Sequence, residues 1–103
     1  MASSKEYLVY VLDLLSGLDG ITYRGMMGEY VIYYQGKVFG GVYDDRFLIK
    51  PTKSVLEMIP DATFEIPYDG GKKMVLVDSE DREFITQLVD AMYDDLPAPR
   101  RKT

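Results

Sequence analysis

Residues 30–50 constrain the fold more than any other part of the chain. They hold three short runs rich in β-branched and aromatic residues, Tyr30–Tyr34, Lys37–Tyr43 and Arg46–Lys50. Such residues suit a pleated, partly buried surface. Gln35-Gly36 and Asp44-Asp45 separate the runs, and two-residue breaks favour tight hairpins with positive φ. The pattern predicts a three-stranded antiparallel meander over residues 29–50. With both turns two residues long, Tyr34 pairs with Lys37, Ile32 with Phe39, Tyr30 with Gly41, Tyr43 with Arg46 and Gly41 with Leu48. One face then carries Tyr30, Ile32, Tyr34, Phe39, Tyr43 and Leu48. The other carries Val31, Tyr33, Val38, Val42, Phe47 and Ile49. Both faces are apolar, whereas a half-solvated antiparallel sheet alternates apolar with polar residues. Helices can cover one face. A second copy of the chain is the expected cover for the other, giving a homodimer; the alternative is that the tyrosines tolerate solvent, hydroxyl outward.

The flanks read as helices and two further strands. Ser3 and Glu6 form a capping-box pattern, and Leu8, Val11, Leu12, Leu15 and Leu18 follow at helical spacing. A helix over 4–16 is expected, with Gly17 as its left-handed cap. The segment Arg24–Gly28 reads as a loop, with Met26 and Met27 plugging the core. After Pro51, Thr52 caps a short helix through Met58, which Pro60 closes. Residues 62–66 and 73–77 are expected strands around the turn Pro67–Gly71. Asp78 is the expected cap of a last helix whose apolar stripe is Phe84, Ile85, Leu88, Val89 and Met92, and Pro97 and Pro99 stop it. The order α-β-β-β-α-β-β-α predicts an α+β fold, a two-layer α/β sandwich with an antiparallel sheet. It forms one domain over 1–96, followed by a disordered Pro-rich basic tail, 97–103.

Composition removes most catalytic chemistries. The 103 residues contain no His and no Cys, and the formal charge is −5. Thiolate nucleophiles, disulfides, imidazole bases and His- or Cys-ligated metals are excluded. No apolar run approaches the roughly 20 residues of a membrane-spanning helix, and the N-terminus has no signal-peptide pattern. A cytoplasmic protein is expected. An acidic domain repels phosphate backbones, so direct nucleic-acid binding is disfavoured; the basic tail Arg100-Arg101-Lys102 could touch an anion.

Few side chains suggest a site. Asp44-Asp45 and the group Asp78, Glu80 and Asp81 are better explained as a turn and a helix cap than as hard-cation ligands. Arg24 and Lys50 are the two cations that, brought together, can bind a carboxylate or phosphate. Tyr33 or Tyr34 is the candidate hydroxyl donor beside them.

The run Arg24-x-Met26-x-Gly28, then Gly36-x-x-Phe39, then Leu48-x-Lys50 resembles the N-terminal domain of the TfoX/Sxy family, bacterial competence regulators and their stand-alone relatives. Met27 stands where that family usually has Phe. The resemblance spans about residues 4–96 and implies an α-β3-α-β2-α fold similar to secretion chaperones. It also implies a regulatory role without known catalysis. In full-length competence regulators, which act with the cyclic-AMP receptor protein, a helical C-terminal domain follows.

The expected function is thus a non-enzymatic regulatory or protein-interaction module, a homodimer that binds another protein such as a transcription regulator. No cofactor or metal is expected. The candidate interaction positions are Arg24, Met26, Gly28, Tyr33, Phe39 and Lys50. The alternative is a small-molecule or anion-binding domain, a cryptic enzyme using Arg24 and Lys50.

Overall fold

The computed structural model describes residues 3–97; the basic tail lies outside them. Helix α1 (Lys5–Leu14) leads into four consecutive strands: β1 (Ile21–Met26), β2 (Glu29–Tyr34), β3 (Lys37–Val42) and β4 (Phe47–Ile49). Helix α2 (Lys53–Met58), strands β5 (Phe64–Glu65) and β6 (Met74–Leu76), helix α3 (Arg82–Met92) and a 3-10 turn (Tyr93–Asp95) follow. The strands form one antiparallel sheet in the order β1-β2-β3-β4-β6-β5. The α+β class and order agree with expectation, with one strand more at the front of the meander.

That extra strand is β1, part of which the sequence pattern predicts as a loop. It pairs with β2 from Ile21 opposite Tyr34 to Met26 opposite Glu29. Gly25 in its middle weakens the strand signal in the sequence. Met27 and Gly28 turn the chain at φ of 53° and 85°, the double positive φ of a hairpin turn that Gly accepts without strain. Met26 and Met27 therefore plug no core: both are exposed.

The meander's register departs from a simple hairpin at Phe39. Tyr34 faces Lys37 and Tyr33 faces Val38, as the turn dictates, but Ile32 then faces Gly40 and Tyr30 faces Val42. Phe39 is the extra residue of a β-bulge. A one-residue slip exchanges the faces of everything beyond it. Val42, Phe47 and Ile49 accordingly join Tyr30, Ile32, Tyr34 and Phe39 on the core side, whereas Leu48 and Tyr43 turn to the other face. Gly40 admits the bulge: a Cβ there would lie 2.3 Å from the Leu48 carbonyl oxygen.

The helices all cover the core face. Leu8, Val11, Leu14 and Leu15 from the first helical segment, Val55 of α2, and Ile85, Leu88, Val89 and Met92 of α3 pack on it. Several caps sit one to three residues from their expected places. Ser4 caps α1, accepting from the Tyr7 amide at 3.1 Å. Asp81, not Asp78, caps α3, accepting from the amides of Glu83 and Phe84. Gly17 lacks the expected left-handed φ; its missing side chain lets Thr86 approach, since a Cβ would lie 2.6 Å from Thr86 Oγ1. Ser3 ties two hairpin turns together instead of capping the helix. Its amide donates to Gly28 O at 2.9 Å. Its hydroxyl donates to Glu29 Oε1 at 2.8 Å and accepts from the Asp45 amide at 3.1 Å.

The bulge makes a specific demand on Gly40. Gly40→Ala is expected to lower stability by about 3 kcal/mol through overpacking, whereas Gly70→Ala meets open space and costs about 1 kcal/mol through its positive φ. Urea midpoints check the difference.

A second expectation concerns pH. The Tyr34 hydroxyl donates to Asp90 Oδ1 at 3.2 Å. Burial first, and then this carboxylate, push the Tyr34 phenol above its ordinary value. A raised phenol binds its proton more tightly in the folded state. Its contribution is therefore complete below about pH 10, the unfolded value, and is lost as pH rises through the folded value. Urea midpoints are expected to fall above about pH 10, and Tyr34→Phe is expected to make that fall shallower while costing about 1 kcal/mol at neutral pH.

Candidate functional site

The sheet face turned away from the helices has an open half and a covered half. On the β1–β2 side, Thr22, Arg24 and Met26 stand opposite Tyr33, Val31 and Glu29. Val31 and Tyr33 are half-buried, while Arg24 and Met26 are exposed, Met26 to 54%. Arg24 lines a shallow hollow of about 340 Å³ with Tyr23, Tyr33 and Gly36. The strand itself is a sheet edge, hydrogen-bonded on one side only. Tyr23 and the fully exposed Met27 extend its apolar surface.

On the β4 side the chain covers itself. Leu48 lies on this outer face, yet its exposure is 0%. Tyr43 folds its ring back across Gly41, where a Cβ would come within 2.9 Å of it. The Tyr68 ring sits 5.9 Å from Tyr43, centroid to centroid. Arg46 holds the incoming loop in place. Its Nε donates to Tyr43 O at 3.0 Å, its Nη2 donates to Ile66 O at 3.2 Å and to Pro67 O at 3.4 Å, and its Nη1 pairs with the Glu65 carboxylate. One guanidinium thus fastens the 65–67 segment to the β3–β4 turn through its rigid fork of donors.

Between the loop and the sheet lies a hollow of about 650 Å³. Lys50, Lys72 and Lys73 line it beside Tyr43 and Tyr68, and no carboxylate does. Burial first, and then the neighbouring Tyr68, push the Tyr43 phenol up.

The six sequence-based candidates thus separate. Arg24, Met26, Tyr33 and Lys50 share the outer face. Gly28 makes the β1–β2 turn, and Phe39 is fully buried with its ring 6.5 Å from Phe47. Arg24 and Lys50 line different hollows. Three strand spacings separate their elements, about 14 Å, so the pair does not form one anion site. The two ion pairs among the described residues, Arg46–Glu65 and Arg82–Asp13, involve neither of them. The Tyr34 hydroxyl is committed to Asp90 inside the fold, whereas Tyr33 borders the Arg24 hollow. Sequence reasoning missed Arg46, Tyr68, Lys72 and Lys73. The only signal for the lysines was their place after the Gly70-Gly71 turn.

An antiparallel sheet with helices on one face and a half-open second face defines a small α+β domain that presents sheet surface. The chain belongs to the TfoX N-terminal domain family, which matches residues 13–95. It is also similar to an uncharacterised 12.7 kDa protein in the trpE 5′ region of Spirochaeta aurantia, at 30% identity over 97% of this chain and 89% of that protein. No solved structure matches. Among the described residues no helix is long and apolar enough to cross a membrane.

Arg46→Ala is expected to free the 65–67 segment and lower stability by about 2 kcal/mol, the scale of charge-assisted hydrogen bonds. Amide exchange checks it: residues 66–74 lose protection and α1 does not.

Proposed function

We propose that this chain is a non-catalytic, cytoplasmic regulatory module that works by binding proteins, beginning with a second copy of itself. The open edge of β1 carries this reading. Protein sheets usually blunt a bare edge with lysine, proline, a bulge or a covering loop. Six-residue β1 has Arg24 as its single charge, and Tyr23, Met26 and Met27 leave apolar surface along it. Two copies meeting edge to edge about a two-fold axis would complete each other's hydrogen bonds and continue the sheet. The open half of the outer face, with Val31 and Tyr33, adds apolar area beside that edge.

Membership of the TfoX N-terminal domain family supports a regulatory role, and a transcription regulator is the proposed partner of the dimer. A chain without His or Cys, with a formal charge of −5, favours protein contacts over catalysis or direct nucleic-acid binding.

Light scattering after size exclusion tests the pairing. At tens of micromolar, a dimer is expected for the natural sequence. Met26→Lys combined with Met27→Asp is expected to give a monomer of unchanged circular dichroism, because both side chains lie outside the core. A strictly monomeric natural chain removes the proposal.

A further inference from the structure

We propose that the hollow between the β5–β6 loop and the outer sheet face binds a small phosphorylated ligand with a planar ring, of the nucleotide class. The inference is independent of pairing at β1. It starts from charge. The protein is acidic overall, with 17 Asp and Glu against 12 Lys and Arg, yet Lys50, Lys72 and Lys73 line one hollow that no carboxylate lines. Neighbouring ammonium groups with no carboxylate between them favour an anion.

The three ammonium groups are differently placed. Lys73 Nζ lies over the Phe64 ring, 4.5 Å from its centroid, a position that already satisfies a cation. Lys50 and Lys72 take part in neither ion pair among the described residues. Two unspent ammonium groups match the double negative charge of a phosphate monoester better than a single carboxylate.

The rest of the hollow suits a flat ring. Tyr43 is packed down over Gly41, and Tyr68 stands beside it, 59% exposed. Base–aromatic stacking contributes about 1–3 kcal/mol per ring. Gly40, Gly70 and Gly71 present no side chains at the floor and lip, and Pro51, Pro67 and Met74 add apolar wall. At about 650 Å³ the space falls in the usual range of small-molecule pockets. Arg46 holds the loop through Glu65, Ile66 and Pro67, so the site is largely formed before a ligand arrives.

Titration of the full chain with AMP, adenosine and inorganic phosphate, read by calorimetry and by amide chemical shifts, tests the assignment. AMP is expected to bind with shifts confined to residues 40–43, 50 and 67–74. Adenosine and phosphate are each expected to bind at least about tenfold more weakly, since each lacks one half of the recognition. Lys50→Gln and Lys72→Gln are each expected to weaken AMP about tenfold, the scale of one lost charge-assisted contact. Lys53→Gln on α2 is expected to change nothing. Amide spectra of the free variants establish that they fold. Failure of AMP to bind at millimolar concentration overturns the proposal, as does AMP binding unchanged in the double lysine variant. Phosphate binding as tightly as AMP overturns the ring half of it.

Discussion

The bulge at Phe39 decides which residues become core. One extra residue in β3 turns Val42 inward and, through the β3–β4 pairing, carries Phe47 and Ile49 with it. Without that slip the helices would meet Leu48, Tyr43 and Gly41, and Val42, Phe47 and Ile49 would face out. The bulge needs room against β4. Gly40 supplies it, with the neighbouring backbone so close that any side chain collides. A local irregularity in backbone spacing therefore sets the composition of the whole hydrophobic layer.

The same slip creates the second face. Leu48 and Tyr43, displaced outward, would leave an apolar patch in water. The β5–β6 loop removes much of it, with Tyr68 beside Tyr43 and Arg46 anchoring the loop backbone. The cover stops short of β1 and β2. The outer face is thus divided between a self-covered half that encloses a cationic hollow and an open half that ends in a bare edge. The two halves differ in chemistry: lysines and tyrosines on one side, exposed apolar side chains along a strand edge on the other.

Much of this was legible in the sequence, and the failures have physical causes. The helical stripes identified α1 and α3, because an amphipathic period survives any tertiary context. The two-residue turns placed β2, β3 and β4, since positive φ at Gln35, Gly36, Asp44 and Asp45 is a local demand. Strand β1 escaped because Gly25 cuts the alternation Ile21-Thr22-Tyr23-Arg24 to four residues. The bulge escaped because the pairing of β2 with β3 fixes it, and the adjacent Gly40 and Gly41 were its one trace. Among the site residues, Arg24, Met26 and Lys50 stand out through motif spacing and Tyr33 through its place on the meander, and the four share a face. Lys72, Lys73 and Tyr68 were not found. Their place depends on Arg46, whose bonds reach about twenty residues along the chain.

The knot at Ser3 has a consequence for the order of folding. This residue is bonded to partners 26 and 42 positions downstream, at Glu29 and Asp45, and the Ser4 amide also donates to the Asp45 carboxylate. A chain made from its N-terminus produces Ser3 long before those partners exist. Helix α1 can wind early, but it cannot be fixed at its root until two hairpins have closed. Bringing such distant ends together carries a loop-closure entropy that local pairing within the meander does not. Ser3 can be set in place only after those hairpins exist, and it acts as a latch on a sheet that must form before it.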